Sequence, residues 1–242
     1  TGLEFSLNSR IIEKSKFQWT LSGNLAYEKN EIVSLYGIKD ESGNEVDDVV
    51  NSWFIGKPIR VIYDFVWDGT WQLDEAAEAA SWGSQPGFVK LRDVNKDGKL
   101  TADDKQIIGQ QDPNLLWGLT NSFSYKNFKL DIFIHGVHGV TKNLFPLMTD
   151  LETFSVIRRN TTKKNWWTPE NPTNDFVMNH LQAEYMSGIS GYVYDPASFI
   201  RVKDLSLSYE FNRDLIEKAG LSRLRIYVTG RNLLTFTKWR GL

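Results

Sequence analysis

The dominant period along this chain is two. In residues 16–28, KFQWTLSGNLAYE, one parity holds Phe17, Trp19, Leu21, Gly23, Leu25 and Tyr27. The other holds Lys16, Gln18, Thr20, Ser22, Asn24, Ala26 and Glu28. A strand sends alternate side chains to opposite faces, so this segment predicts a ribbon with one apolar side and one polar side. Upstream, Leu3, Phe5 and Leu7 alternate with Glu4, Ser6 and Asn8, which predicts a hairpin of strands about 2–12 and 16–28 turning near 13–15. The pattern returns at 116–126 and 128–137, joined by a tight turn near Lys126–Asn127. There Trp117, Leu119, Phe123 and Tyr125, then Phe128, Leu130, Ile132 and Ile134, form the apolar parity, with Phe133 an exception on the polar side. It returns again at 198–211 and 223–236, where Leu205, Leu207, Tyr209 and Phe211 alternate with Asp204, Ser206, Ser208 and Glu210. Ile200 and Val202 fall out of register with Leu205, which predicts a bulge between them. The intervening NRDLIEKAGLS reads as a helical turn ending at Gly220.

The connections alternate in length. Those near 13–15, 126–127 and 212–222 are short, and those at 29–115 and 138–197 are long. Strands of this length, short turns on one side and long loops on the other match a transmembrane β-barrel, in which the long loops are extracellular. Phe17, Trp19 and Tyr27 flank smaller apolar residues, as interfacial girdles do. The fold class expected is therefore all-β with short loop helices: an antiparallel transmembrane β-barrel segment of about six strands. A soluble β-sandwich shows the same alternation. Loops beyond about 15 residues are uncommon in a compact domain and favour the barrel.

Composition narrows the functions. Lys and Arg total 28 against 30 Asp and Glu, a net charge of −2, which argues against a partner recognised through nucleic-acid phosphates. With no cysteine, disulfides, zinc thiolates and cysteine nucleophiles are excluded. No run approaches the ~18 apolar residues of a transmembrane helix. The first residue is Thr1 and no signal peptide precedes it, so the chain reads as a mature product or an excised piece.

The sharpest local motif is DVNKDGKLTADD at 93–104. Asp93, Asn95 and Asp97 occupy positions 1, 3 and 5 of a twelve-residue calcium loop, with Gly98 at the sharp turn. The Lys99 carbonyl, Thr101 and Asp104 would complete an oxygen shell for a structural calcium ion, although Asp104 stands where an EF-hand carries Glu. The competing reading is a polar turn. Trp67, Trp71, Trp82, Trp166 and Trp167 lie in the long loops and are candidates for substrate or partner contact, since exposed rings suit sugar faces and protein interfaces. The competing reading has them packing the loops into a small core. The catalytic inventory is thin: three histidines, His135, His138 and His180, and no HExxH, GxSxG or P-loop. The stretch 145–165 suggests a short loop helix.

At this point four segments carry a family resemblance. They are FQWTLSGNLAYEKNEIVSL at 17–35, GKPIRVIYDFVWDGTWQLDEAAEA at 56–79, the run from Pro86 to Gly139, and SFIRVKDLSLSYEF with LSRLRIYVTGRNLLTFTKWRG at 198–211 and 221–241. Together they resemble SusC/RagA-type TonB-dependent transporters of the Bacteroidetes outer membrane. The resemblance implies a barrel of about 22 strands with an N-terminal plug. It also implies import of a nutrient, a glycan or a peptide, powered by TonB, with a SusD-like outer-membrane lipoprotein as lid. No plug or TonB box is present in these residues, so the chain reads as a partial barrel, residues 1–242. On this reading Arg223, Arg225 and Arg231 face the lumen, Ile226 faces lipid, and no covalent chemistry is performed. The alternative is a soluble, calcium-binding carbohydrate-recognition β-module. A secreted glycosidase ranks last, because neighbouring acids do not by themselves place two carboxylates across a substrate.

Overall fold

A computed structural model describes residues 1–144, 163–179 and 193–240. His180 and residues 145–162, where the short loop helix was expected, lie outside the described residues. In chain order the strands are β1 (Gly2–Lys14), β2 (Phe17–Glu28), β3 (Val61–Phe65), β4 (Trp67–Thr70), β5 (Val89–Leu91) and β6 (Lys105–Gln110). They continue with β7 (Leu115–Tyr125), β8 (Phe128–His138), β9 (Thr141–Asn143), β10 (Tyr194–Pro196), β11 (Phe199–Glu210) and β12 (Arg225–Thr237). Two short helices, α1 (Ala76–Ser81) and α2 (Arg213–Ile216), interrupt them. The chain divides into two compact units.

The first unit comprises residues 1–30, 112–140 and 197–238. It is a six-stranded sheet in the order β1-β2-β7-β8-β11-β12, antiparallel throughout. The six long strands expected from the alternation are all present. Lys126 turns through φ 51°, supplying the left-handed backbone that a two-residue hairpin loop demands. Gly220 closes the helical turn after α2 at φ 73°, where a side chain would be strained.

Register explains the parity break. Pairing runs Leu7–Gly23–Leu119–Ile134–Val202–Leu234 across all six strands, so these residues share a face. Lys203 is an extra residue in β11 relative to β8, and Asn232–Leu233 add one in β12 relative to β11. Each insertion reverses parity once. Ile200 and Val202 therefore rejoin Leu205, Leu207 and Tyr209, and Leu234 and Phe236 rejoin Ile226 and Val228. A third bulge at Ile11 keeps Ile12 with Leu3, Phe5 and Leu7. The backbone is adjusted three times to keep one face apolar.

That face is open to its surroundings. Leu3, Phe5, Leu207, Ile226, Val228, Leu234 and Phe236 are all exposed, Val228 by 74%. Trp117 lies across Gly136, its directly paired neighbour; a Cβ there would come within 2.4 Å of the indole. The glycine gives the ring its seat on the sheet.

The second unit comprises residues 31–111, 141–196 and 239–242. What the alternation left as plain long loops carries three two-stranded ribbons, β3–β6, β4–β5 and β9–β10, and α1. Its core gathers Trp71, Ala79, Phe88, Val89, Leu144, Val177 and Val193, flanked by Trp67, Leu91, Phe176 and Met178. Gly87 has φ 87°, and a Cβ on it would meet the Trp167 ring at 2.6 Å, so this turn admits no side chain. Arg240 clamps the unit. Its Nε and Nη2 donate to the two oxygens of buried Asp195 at 2.7 and 2.8 Å, and its guanidinium lies 4.7 Å from the Trp67 ring centre.

Candidate functional site

The polar face of the six-stranded sheet is the first candidate surface. Its residues follow from the register: Thr20, Ser22 and Asn24 on β2, Thr120, Ser122 and Ser124 on β7, and Lys129, Asp131, Phe133 and His135 on β8. Arg201, Asp204 and Ser206 follow on β11, with Arg225, Thr229, Arg231 and Thr235 on β12. Polar groups pair across strands and, at Lys129–Asp131, along one. The Ser122 hydroxyl donates to Asp131 at 2.5 Å, Lys129 lies 3.0 Å from Asp131, and Arg231 lies 3.7 Å from Asp204. The strand alternation places Arg225 and Arg231 here and Ile226 on the opposite, apolar face, as expected. Arg223 precedes β12 and pairs with Glu210 at 2.9 Å. His135 is on the polar face with Phe133. His138 is on the apolar face, where its Nε2 accepts from the Trp117 indole at 3.0 Å.

The loop at 93–104 has the sharp turn its glycine suggested, with Gly98 at φ 79° and Lys96 at 61°. Its carboxylates accept from the loop's own backbone. Asp93 accepts from the N–H groups of Lys96 and Gly98 at 2.6 and 2.9 Å, and Asp97 accepts from Lys99 at 2.8 Å. Asn95 accepts from the Asp97 N–H at 2.9 Å. Asp104 is fully buried and points inward, accepting from Val94 and Thr101 at 2.8 Å each. The Thr101, Val94 and Asn95 donors hold its carboxyl below the ordinary carboxylate range, with the Thr101 bond the largest cause. Among the described residues no three His, Asp or Glu side chains gather as a metal cage. Asp93 and Asp97 keep further lone pairs beside these backbone bonds, and the Asn95 and Thr101 side chains lie in the same loop.

The five candidate tryptophans fall into two groups. Trp71 and Trp167 are buried in the second unit, and the Trp167 indole donates to Gln72 at 2.9 Å. Trp67 is half-buried and donates to the Gly69 carbonyl at 2.6 Å; Trp166 is half-buried against the Phe176 ring. Trp82 keeps 37% of its surface exposed. It borders a cleft of about 280 Å³ lined also by Phe65, Trp71, Leu91 and Leu100. Lys90 caps Trp71 at 4.4 Å and pairs with Glu75 at 2.5 Å, a hydrogen bond that is the main cause of the lowered Glu75 carboxyl pKa. Sequence alternation could not separate these rings, because this unit has no long period to assign a face.

No family model matches the chain. It is 32% identical over 250 residues to the TonB-dependent receptor P3 of Formosa agariphila, covering 99% of this chain and 24% of that protein. It is 25% identical over 255 residues to the TonB-dependent receptor SusC of Bacteroides thetaiotaomicron, covering 100% of this chain and 23% of that receptor. Among solved structures it superimposes on the RagAB peptide transporter with a TM-score of 0.68 at 23% identity, covering 99% of this chain and 26% of that one. The last comparison shows the fold alone. The chain spans about a quarter of the length of each of these proteins.

Proposed function

Because this chain is a barrel segment of a TonB-dependent receptor of the SusC/RagA type, we propose that it forms wall and extracellular loops of an outer-membrane nutrient importer. The single observation that carries the proposal is the exposed apolar face kept continuous through three bulges. A soluble sheet with that face open would have its largest apolar patch in water, at about 25 cal/mol per Å². In a bilayer the same face is solvated by acyl chains, and the polar face lines a lumen. This also disfavours the soluble carbohydrate-recognition module.

The importer performs no covalent chemistry. TonB, acting through a plug outside these residues, energises it, a SusD-like lipoprotein meets its outer side, and its cargo is a glycan. The second unit, built from the long connections, faces the cell exterior. Trp82, with its ring exposed beside a cleft, is the tryptophan best placed to touch cargo or lipoprotein; Trp71 lines the same cleft from the core. Calcium at 93–104 stands as a subsidiary proposal: exposed Asn95, Asp97 and Lys99, with Asp93 and Thr101, turn toward an ion while Asp104 keeps its backbone bonds. A rise in melting temperature with added calcium supports this, and an unchanged melting temperature rejects it.

The test of the main proposal is uptake. In cells carrying the full receptor, glycan import is expected to require both TonB and this segment, and the receptor is expected to extract from membranes only with detergent. Extraction by salt or alkali alone would overturn the membrane placement, and import undiminished in a TonB-null strain would overturn the mechanism.

A further inference from the structure

Two cavities adjoin at the end of the six-stranded sheet that bears the short turns. The first is a groove of about 200 Å³ on the apolar face, walled by Phe128, Leu207, Tyr209, Ile226 and Val228 of β8, β11 and β12. The register makes these residues neighbours: Tyr209 pairs with both Phe128 and Ile226, and Leu207 pairs with Val228. The second cavity, of about 400 Å³, lies over the strand ends. Phe128 and Phe211 reach it from the apolar side of the sheet, and Lys129 and Arg225 from the polar side. Lys126 and Arg223 reach it from the two short connections. Phe128 and Ser208 border both cavities, so the groove runs up the outer face into the rim.

The two differ in charge. The groove is walled by apolar side chains, whereas the rim cavity holds four cations, Lys126, Lys129, Arg223 and Arg225, and one carboxylate, Glu210. Arg223 donates to Glu210 at 2.9 Å, and Lys129 lies 3.0 Å from Asp131. Four cations thus meet two carboxylates, an excess of two positive charges. Aromatic rings mark the boundary between them. Tyr209 lies 4.7 Å from Phe128 and 5.0 Å from Phe211, centre to centre. Such a belt sits where acyl chains give way to headgroups.

We propose that this rim binds an anionic phospholipid of the periplasmic leaflet, with an acyl chain in the groove and the phosphate among the rim cations. This rests on the membrane placement proposed above and adds a partner to it. Short barrel turns face the periplasm, so the leaflet at this level is the inner one. A phosphodiester offers two charged oxygens to the Arg223 fork and a point charge to Lys126. The positive excess favours a headgroup with a net negative charge over a zwitterionic one, whose own cation the rim would repel. The adjoining groove distinguishes a lipid from a free anion, because a free phosphate has nothing to place against Leu207, Ile226 and Val228.

The test uses the full receptor, stripped of lipid in detergent, and native mass spectrometry with three probes: dioleoylphosphatidylglycerol, dioleoylphosphatidylcholine and inorganic phosphate. Native receptor is expected to retain phosphatidylglycerol in preference to phosphatidylcholine. Lys126→Asn keeps the left-handed backbone at φ 51° and removes the charge. Combined with Arg223→Gln, it is expected to weaken phosphatidylglycerol binding about tenfold and to leave phosphatidylcholine unchanged. Val228→Trp fills the groove without altering charge and is expected to weaken binding about threefold. Equal retention of the two lipids by native receptor, or unchanged phosphatidylglycerol binding in the double variant, overturns the inference. Displacement of the lipid by millimolar inorganic phosphate, or indifference to Val228→Trp, overturns the lipid as occupant. Assembly is read first from the heat-dependent gel mobility of the barrel. If the double variant fails to assemble, Arg225→Gln carries the test, with an expected loss of about threefold. A receptor released from membranes by alkali fails the membrane placement itself; one that needs detergent but does not discriminate between the lipids fails this inference alone.

Discussion

The two units treat the same kinds of side chain in opposite ways. Of the thirteen buried apolar residues among the described residues, ten lie in the second unit and three, Val140, Ala197 and Ile216, in the first unit outside its six long strands. The sheet has six long strands with a full apolar face, yet Phe5, Leu207, Val228 and Phe236 on that face are exposed. Among its described residues the second unit has short ribbons and a six-residue helix, yet Phe88 and Val177 are almost wholly enclosed. Regular secondary structure and a protein core are thus separable. On the proposed importer reading, the ladder pairs the backbone of the four inner strands on both sides and the apolar side chains meet acyl chains in place of a protein core. On the same reading the second unit lies in water and buries its apolar groups within itself.

This contrast predicts where substitutions hurt and through which readout. Trp71→Ala is expected to have the largest effect, about 3–5 kcal/mol of local stability, because it empties the centre of the second unit's core. Protease protection of residues 31–111 is the measurement, and barrel assembly is expected to survive. Ile132→Arg is expected to act the other way. Ile132 lies mid-strand on the apolar face, paired with Asn121 and Leu205, and an arginine there costs about 2–4 kcal/mol at mid-bilayer depth. Heat-modifiable barrel on unboiled gels should fall sharply while the second unit stays protected. If either variant damages both readouts equally, the division of solvents between the units is wrong.

The sequence made one half of this legible and obscured the other. Alternation located all six long strands, and the parity break at Ile200–Leu205 was sufficient to mark the bulge at Lys203. Period two is a local signal, and barrel strands repeat it for many residues. The bulges at Ile11 and Asn232–Leu233 were not foreseen, because an extra residue shows only against a partner strand's register. The second unit follows no sustained period. Its stability rests on contacts such as Arg240 with Asp195 and Thr70 with Asn174, 45 and 104 residues apart, which no window along the chain connects. Helix α1 had a usable signal in the alanine-rich AAEAAS following Glu75. At 93–104 the DxNxDG spacing gave the sharp turn at Gly98, while the backbone N–H groups that bond Asp93, Asp97 and Asp104 are invisible in the spacing.

Asp104 supplies a smaller and more local test. Its folded carboxyl titrates below the unfolded range because backbone N–H groups stabilise the charged form. The contribution is therefore fully present above the unfolded value of about 3.9 and is lost as pH falls through the lower folded value. The protection factors of the Val94 and Thr101 amides, taken relative to intrinsic exchange at each pH, are expected to be high at pH 6 and to fall below about pH 4. Asp104→Asn should remove that pH dependence of protection and lower the protection factor of both amides at pH 6, with barrel assembly unchanged.

The smallest expected effect separates the two faces at one rim. Ile226 is on the apolar face but pairs with Tyr209, whose ring adjoins Phe128 at 4.7 Å, at the end of the sheet bearing the short turns. Aromatic rings mark the interfacial level, where a cation can reach headgroups and the penalty falls to about 0–1 kcal/mol. Ile226→Arg should therefore lower assembly only slightly, and much less than Ile132→Arg. Its neighbour Arg225 points to the polar face, and Arg225→Ala should leave assembly unchanged. Gel mobility of the three variants measured side by side orders them by face and depth together. Ile226→Arg matching Ile132→Arg would place the turn end deep in the bilayer, and Arg225→Ala exceeding Ile226→Arg would reverse the face assignment on β12.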